Sequence, residues 1–278
     1  MSNTHAALLN QISRLGPLDR GLLAAVADEV RAITTGWTVN YGDYQSGGWY
    51  TLSLINPSGL SADVTIHDGR GVPTEILERM PKTKDLLASL PLDIMWVRLA
   101  RLNAGAYLWE HRDYGELSEV DHFRLHIPLV TNPSAVLAID GNTISMQVGE
   151  LWRLAPVFRH GVCNVTGPER THIVIDCYET EELSKILAGG YLLPDDVRSL
   201  PPLDDAALEQ ELAIASELLA GGSAERAEEH LLKLFFRFDT HDGQGYHLIT
   251  RMYEQAGDAE KADEWRERRA VLMGEAGE

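Results

Sequence analysis

The sequence predicts an α+β chain with a β sandwich or barrel at its centre and helices on either side. Three observations carry this. Short apolar or alternating runs recur between residues 93 and 178, separated by turn residues. A helical period with Asp19 as N-cap precedes them at residues 22–33. After residue 206 the period becomes helical and stays so to the end.

Taken in order, Leu22, Leu23, Val26, Val30 and Ile33 form the apolar stripe of the first helix, which Gly36 ends. Residues 37–44 and 49–55 alternate and read as strands joined at Gly47-Gly48; Asn56-Pro57-Ser58-Gly59 is a turn. Residues 74–79 and 83–89 read as short helices divided at Pro81. Strands are then expected at 93–102, 107–110, 123–130, 135–139, 143–147, 150–154, 162–165 and 171–178, with Asp140-Gly141-Asn142 as a tight hairpin turn. Residues 183–187 suit a short helix. The Gly-, Pro- and Asp-rich stretch that follows reads as a linker, and helices are expected at 206–219, 225–238, 246–256 and 259–273. The implied division is 1–180 for the β domain with its N-terminal helices, 181–205 for a linker and 206–278 for a helical domain.

With 24 Lys and Arg against 42 Asp and Glu, the net charge of the 278-residue chain is −18. That excludes the positive footprint that nucleic acid and anionic membranes require. The N-terminus lacks the charged-then-apolar pattern of a signal peptide, and no apolar run is long enough to span a bilayer. Cys163 and Cys177 are the only cysteines, too few for a disulfide framework, so they read as free thiols of a cytoplasmic protein.

The chemistry concentrates between residues 98 and 178. His111 and Asp113 are two apart on a strand end, so their side chains leave on one face and Arg112 leaves on the other. With His160 from another strand they make a two-histidine, one-carboxylate set, which suits Fe(II) with open coordination positions. Arg170 follows soon after, and Arg124 and His126 share one strand face. A guanidinium in a dry pocket takes a carboxylate bidentately. Iron beside such an arginine is what a 2-oxoglutarate-dependent oxygenase needs, with one position left for O₂. His172 shares the face of Arg170 and reads as packing or as a supporting contact.

These residues resemble the aspartyl/asparaginyl β-hydroxylase family, and within it the bacterial L-proline cis-hydroxylase branch. The matching pieces are His111-Arg112-Asp113-Tyr114, Phe123-Arg124-Leu125-His126, Gly149-Glu150-Leu151-Trp152, His160, and Arg170 through Val174-Ile175-Asp176. Gly47-Gly48-Trp49 and the C-terminal helices extend the likeness over most of the chain. The resemblance implies a double-stranded β-helix (jelly-roll, cupin-like), Fe(II) held by His111, Asp113 and His160, and 2-oxoglutarate contacted by Arg124, His126 and Arg170. It implies hydroxylation of an amino acid, free or in a short peptide, with Arg98, Tyr114 and Trp152 as candidate substrate contacts. Animal members lack the carboxylate ligand, so Asp113 draws this chain toward the proline branch. Arg159 and Leu154-Ala155-Pro156 depart from the pattern, and these positions are expected at the pocket. The competing reading is a cupin-like metal-binding or interaction protein without oxygenase activity. Oligomeric state is not predicted.

Overall fold

The computed structural model describes residues 3–40, 42–113 and 120–274. Its elements are α1 (Asn3–Gln11), β1 (Ile12–Pro17), α2 (Arg20–Arg31), β2 (Trp49–Asn56), β3 (Val72–Pro73), α3 (Pro81–Ala88), β4 (Asp93–Leu102), β5 (Ala106–His111), β6 (His122–Val130), β7 (Ala135–Ile139), β8 (Asn142–Ile144), β9 (Glu150–Leu154), β10 (His160–Asn164), β11 (Arg170–Tyr178), α4 (Glu181–Ala188), β12 (Val197–Ser199), α5 (Asp205–Ala220), α6 (Ala224–Leu232), α7 (Gln244–Ala256) and α8 (Ala259–Leu272). The α+β class holds.

The strands form two antiparallel sheets. One has seven strands in the order β1-β9-β6-β11-β4-β2-β3, the other five in the order β12-β8-β7-β10-β5. Strand alternation sorts their side chains into layers. Ala100, Leu102, Trp152, Leu154 and Val174 of the larger sheet meet Leu108, Leu137, Ile139 and Val162 of the smaller one in an inner core. Leu52, Leu54, Val97, Leu99, Leu125, Ile127, Ile173 and Ile175 face the other way, and Leu23, Val26 and Leu86 of the helices cover them. Tyr107, Trp109 and Phe236 join the C-terminal helices in a third core on the outside of the smaller sheet. The order is helices, sheet, sheet, helices, with the inner core between the sheets.

Local chemistry explains the departures from the sequence pattern. Among the described residues of 37–44 no strand forms; Thr38 bridges Thr51, and Gly42–Tyr44 is a 3-10 turn. Trp37 stacks under the Arg101 guanidinium at 4.1 Å and donates its indole N–H to the Ile33 carbonyl, which draws the segment off the sheet edge. The helix expected at 74–79 is only a 3-10 turn, Leu77–Arg79. Thr74 is tied to β2 instead: its hydroxyl donates to Ser53 O at 3.0 Å and its N–H to Leu54 O. Residues 225–238 form α6 followed by a 3-10 turn, Lys233–Phe236. The expected helix at 183–187 is α4, and the stretch after it, read as a linker, carries structure: a bridge from Tyr191 to Arg14, and β12 paired to β8. The Asp196 carboxylate there is 2% exposed and accepts from Arg14 Nε at 2.7 Å, a buried pair that holds the stretch against β1. No helix among the described residues is long and apolar enough to cross a membrane.

Candidate active site

A pocket opens at one end of the inner core. Tyr44, Trp49, Arg98, His111, Asp113, Arg124, His126, His160 and Arg170 line it, with Leu108, Leu137, Leu154, Val162 and Val174 as its apolar wall. Its side chains divide into two poles.

At the first pole, one ligand atom from each of His111, Asp113 and His160 lies within 4.8 Å of the others. His111 and His160 face each other across β5 and β10, with ring centroids 4.3 Å apart. A bulge makes this possible. Between Leu108 and His111, β5 has one residue more than the opposing stretch of β10 from His160 to Val162. Strict alternation from Leu108, which faces inward, would turn His111 outward. The extra residue puts Trp109 and Glu110 both on the helical side and returns His111 to the pocket.

Both imidazoles are oriented through the backbone. His111 Nδ1 lies 2.7 Å from Trp109 O, and His160 Nδ1 lies 2.9 Å from Phe158 O. A carbonyl only accepts, so each Nδ1 carries the proton and each Nε2 presents a lone pair, the tautomer a metal needs. Burial depresses both histidines, outweighing the pull of Asp113; His160 falls to about 3, with His111 the next contributor. Neutral imidazoles are therefore what the pocket contains at pH 7. Burial alone would raise the Asp113 carboxyl, but Arg124, the two histidines and Arg98 hold it below the usual carboxylate range. Asp113 Oδ1 is 3.5 Å from His111 Nε2, while Oδ2 accepts from Arg124. Arg124 Nε in turn donates to the fully buried Asp176 at 2.8 Å. Two neutral nitrogens and one ionised oxygen, converging and tautomer-locked, fit a divalent transition metal such as Fe(II).

At the second pole the charges are not balanced. Arg170 is 4% exposed and donates to His172 Nδ1 at 2.9 Å. Among the described residues no carboxylate pairs with it, and burial brings its guanidinium down to about 9. His126 is also buried, and among the described residues neither of its ring nitrogens nor His172 Nε2 has a partner. Burial first, then Arg170, push His126 well below its ordinary value. Arg98 enters from β4, stacked on Trp96 at 4.2 Å. Unpaired buried polar atoms cost about 1–3 kcal/mol each, so this pole is shaped to receive an anion.

The structure therefore brings together seven of the nine residues singled out by sequence: His111, Asp113, His160, Arg124, His126, Arg170 and Arg98. Tyr114 lies outside the described residues. Trp152 is fully buried in the inner core, under the Arg14 guanidinium at 5.1 Å, and is not on the pocket wall. Arg159 departs from its expectation: it points away from the pocket, toward Glu110, Thr240 and Asp242. It follows strand alternation, since its neighbour His160 points in. Tyr44 and Trp49 were not singled out. Tyr44 comes from the turn at 42–44 and sits 4.8 Å from the His111 ring; no local pattern marks a residue brought in from so far along the chain.

The profile of the family described as "Aspartyl/Asparaginyl beta-hydroxylase" matches residues 20–180. The chain is similar to L-proline cis-3-hydroxylase 1 of Streptomyces sp, 27% identical over 247 residues that cover 82% of this chain and 83% of that one. It is also similar to the L-proline cis-4-hydroxylase of Rhizobium meliloti (strain 1021), 27% identical over 141 residues, 49% of this chain and 50% of that one. Among solved structures, an oxidoreductase of the 2OG-Fe(II) oxygenase family from Burkholderia pseudomallei aligns with a TM-score of 0.44 and 15% identity, covering 64% of this chain and 90% of that one.

Proposed function

The chain belongs to the aspartyl/asparaginyl β-hydroxylase family, and from that premise we propose that it is an Fe(II)- and 2-oxoglutarate-dependent dioxygenase that hydroxylates an amino acid. One observation carries the proposal: a converging His111–Asp113–His160 set shares a pocket with the buried Arg170, which among the described residues has no counter-ion. The two sheets are then the halves of a double-stranded β-helix, with residues 206–278 as its helical companion.

When bound, iron and 2-oxoglutarate activate O₂ to place one oxygen atom on a C–H bond, with succinate and CO₂ as coproducts. The protein's own part is positional. His111, Asp113 and His160 would hold the metal. Arg170, steadied by His172, would receive the distal carboxylate of 2-oxoglutarate, and the ring N–H of neutral His126 would donate to the same molecule. Arg124 holds Asp113 in place and is itself held by Asp176. Arg98 supplies a cation for the carboxylate of a free amino acid such as proline or a proline-like compound. Tyr44, Trp49 and the apolar wall keep water from the reacting carbon. The amino-acid and hydroxyproline chemistry in the relatives' names supports a small substrate of this class.

The test is turnover. Purified protein with Fe(II), 2-oxoglutarate and ascorbate is incubated with each amino acid, with proline derivatives and with short peptides. Succinate and a product heavier by one oxygen atom are the expected outcome. No 2-oxoglutarate binding and no succinate with any of them would overturn the proposal.

A further inference from the structure

Three of the four residues that flank the two histidines in sequence bond to the C-terminal helical segment, and the fourth packs against it. Glu110, before His111, is 2% exposed. Its carboxylate accepts from the Gly243 N–H at 3.1 Å, at the start of α7, and its own carbonyl accepts from the Tyr246 hydroxyl at 2.6 Å. Arg112, after His111, gives its N–H to the Leu272 carbonyl of α8 at 2.9 Å and its guanidinium to Asp242. Arg159, before His160, donates to Glu110 at 3.2 Å and to the Thr240 carbonyl at 2.5 Å, and its Nε lies 3.1 Å from Asp242. Gly161, after His160, sits so close to Phe236 that a Cβ there would come within 3.0 Å of the ring.

Arg159 and Glu110 thus join β10 to β5 on the face opposite the histidines, and both are anchored in the same short segment, 240–243. The bulge makes this arrangement necessary. It places Glu110 outward, where a carboxylate needs partners, and it interrupts the regular ladder between the strands that carry His111 and His160. His111 and His160 remain register partners, but they are the last pair of the ladder beyond the bulge, where contacts behind the strands add to pairing in fixing their distance.

We infer that the C-terminal helices act as a template for the metal centre, and that Arg159 and Glu110 are positioning residues that set the spacing of His111 and His160 from behind. The inference rests on the reading of His111, Asp113 and His160 as metal ligands. Arg159 also gains a role here that has nothing to do with substrate choice.

The experiment titrates the full-length metal-free protein with Co(II) and records the visible band that Fe(II) and 2-oxoglutarate give together without O₂. Arg159→Met keeps the length and removes the charge; Glu110→Gln keeps the shape and weakens the pair. Each is expected to weaken Co(II) binding about 10- to 100-fold, the range for changes behind a metal ligand, and to shift the Fe(II) band. Arg159→Lys is expected to recover part of the loss. Glu228→Gln serves as control: Glu228 accepts from Tyr253 and Trp265 within the helices, so its loss is expected to lower Tm while leaving Co(II) affinity unchanged. Arg159→Met and Glu110→Gln binding Co(II) like the parent would overturn the inference, as would an equal loss in Glu228→Gln. If Arg159→Met does not fold, Glu110→Gln decides. A parent protein that binds no Co(II) would instead sink the ligand reading beneath it.

Discussion

The two poles of the pocket are built on opposite electrostatic plans. At the metal pole the charges and the imidazole protons are answered. Each imidazole proton meets a backbone carbonyl, and Asp113 and Asp176 bracket the Arg124 guanidinium. At the other pole Arg170, His126 and His172 are buried with nitrogens unanswered by any described residue. A balanced site is rigid before its ligand arrives, because nothing in it gains by moving. An unbalanced one is held in a costly state by its surroundings and relaxes only when an anion enters. The first plan suits a resident metal and the second a cosubstrate that comes and goes.

The sharpest way to break the contrast is at the metal pole. His160→Ala or Asp113→Ala is expected to abolish turnover and to weaken metal binding by more than the 10- to 100-fold typical of an outer partner; metal titration checks it. Next comes Arg170→Met. Removing one side of a buried charge pair costs about 2–5 kcal/mol, so 2-oxoglutarate affinity is expected to fall at least about 30-fold while Co(II) binding stays as in the parent. Without ligands the same variant is expected to melt higher than the parent, since an unpaired buried cation has been replaced by an apolar chain. A lower Tm would show that Arg170 is compensated after all.

Acid separates the poles differently. The folded-state value of His160 is depressed from 6.5 to about 3, so the unfolded chain takes up its proton first as pH falls. The stability this group contributes is present above pH 6.5 and is lost as pH drops toward 3. Between pH 7 and pH 5 the metal-free protein is expected to lose about 2 kcal/mol from His160 alone, with His111 adding in the same direction. Denaturant titrations at the two values test this. The smallest effect is at the thiols. Burial pushes Cys163 and Cys177 up to about 12, and both are expected to resist alkylation at pH 8 until the chain unfolds.

How much of this was legible in the sequence follows from the range of the forces involved. His111 and Asp113 are two apart and Arg124 and His126 are two apart, so strand alternation alone puts each pair on one face. Asp93–Leu102 and Glu150–Leu154 carry enough apolar residues to read as strands, and the structure gives them those bounds. Residues 37–44 alternate just as well, yet the stacking of Trp37 on Arg101, far along the chain, outweighs the pattern. Arg159 was misplaced for a similar reason. A charged residue beside a ligand looks like pocket chemistry until the partners on the other face, Glu110 and Asp242, are known. Trp152 likewise lies in the inner core beneath Arg14 and not on the wall it was expected to form.

The bulge in β5 changes what kind of mutation this region can bear. A substitution at Trp109 or Glu110 alters a contact on the helical side, but a deletion of either removes the bulge. With one residue fewer between Leu108 and His111, plain alternation would still turn His111 inward, but a single residue would be left to face the helices, so either the Trp109 packing or the Glu110 bonds would be lost. The extra residue is thus what lets one strand keep its histidine in the pocket and grip the helices with two side chains at once, and an engineer who varies residues here must keep the number of them constant.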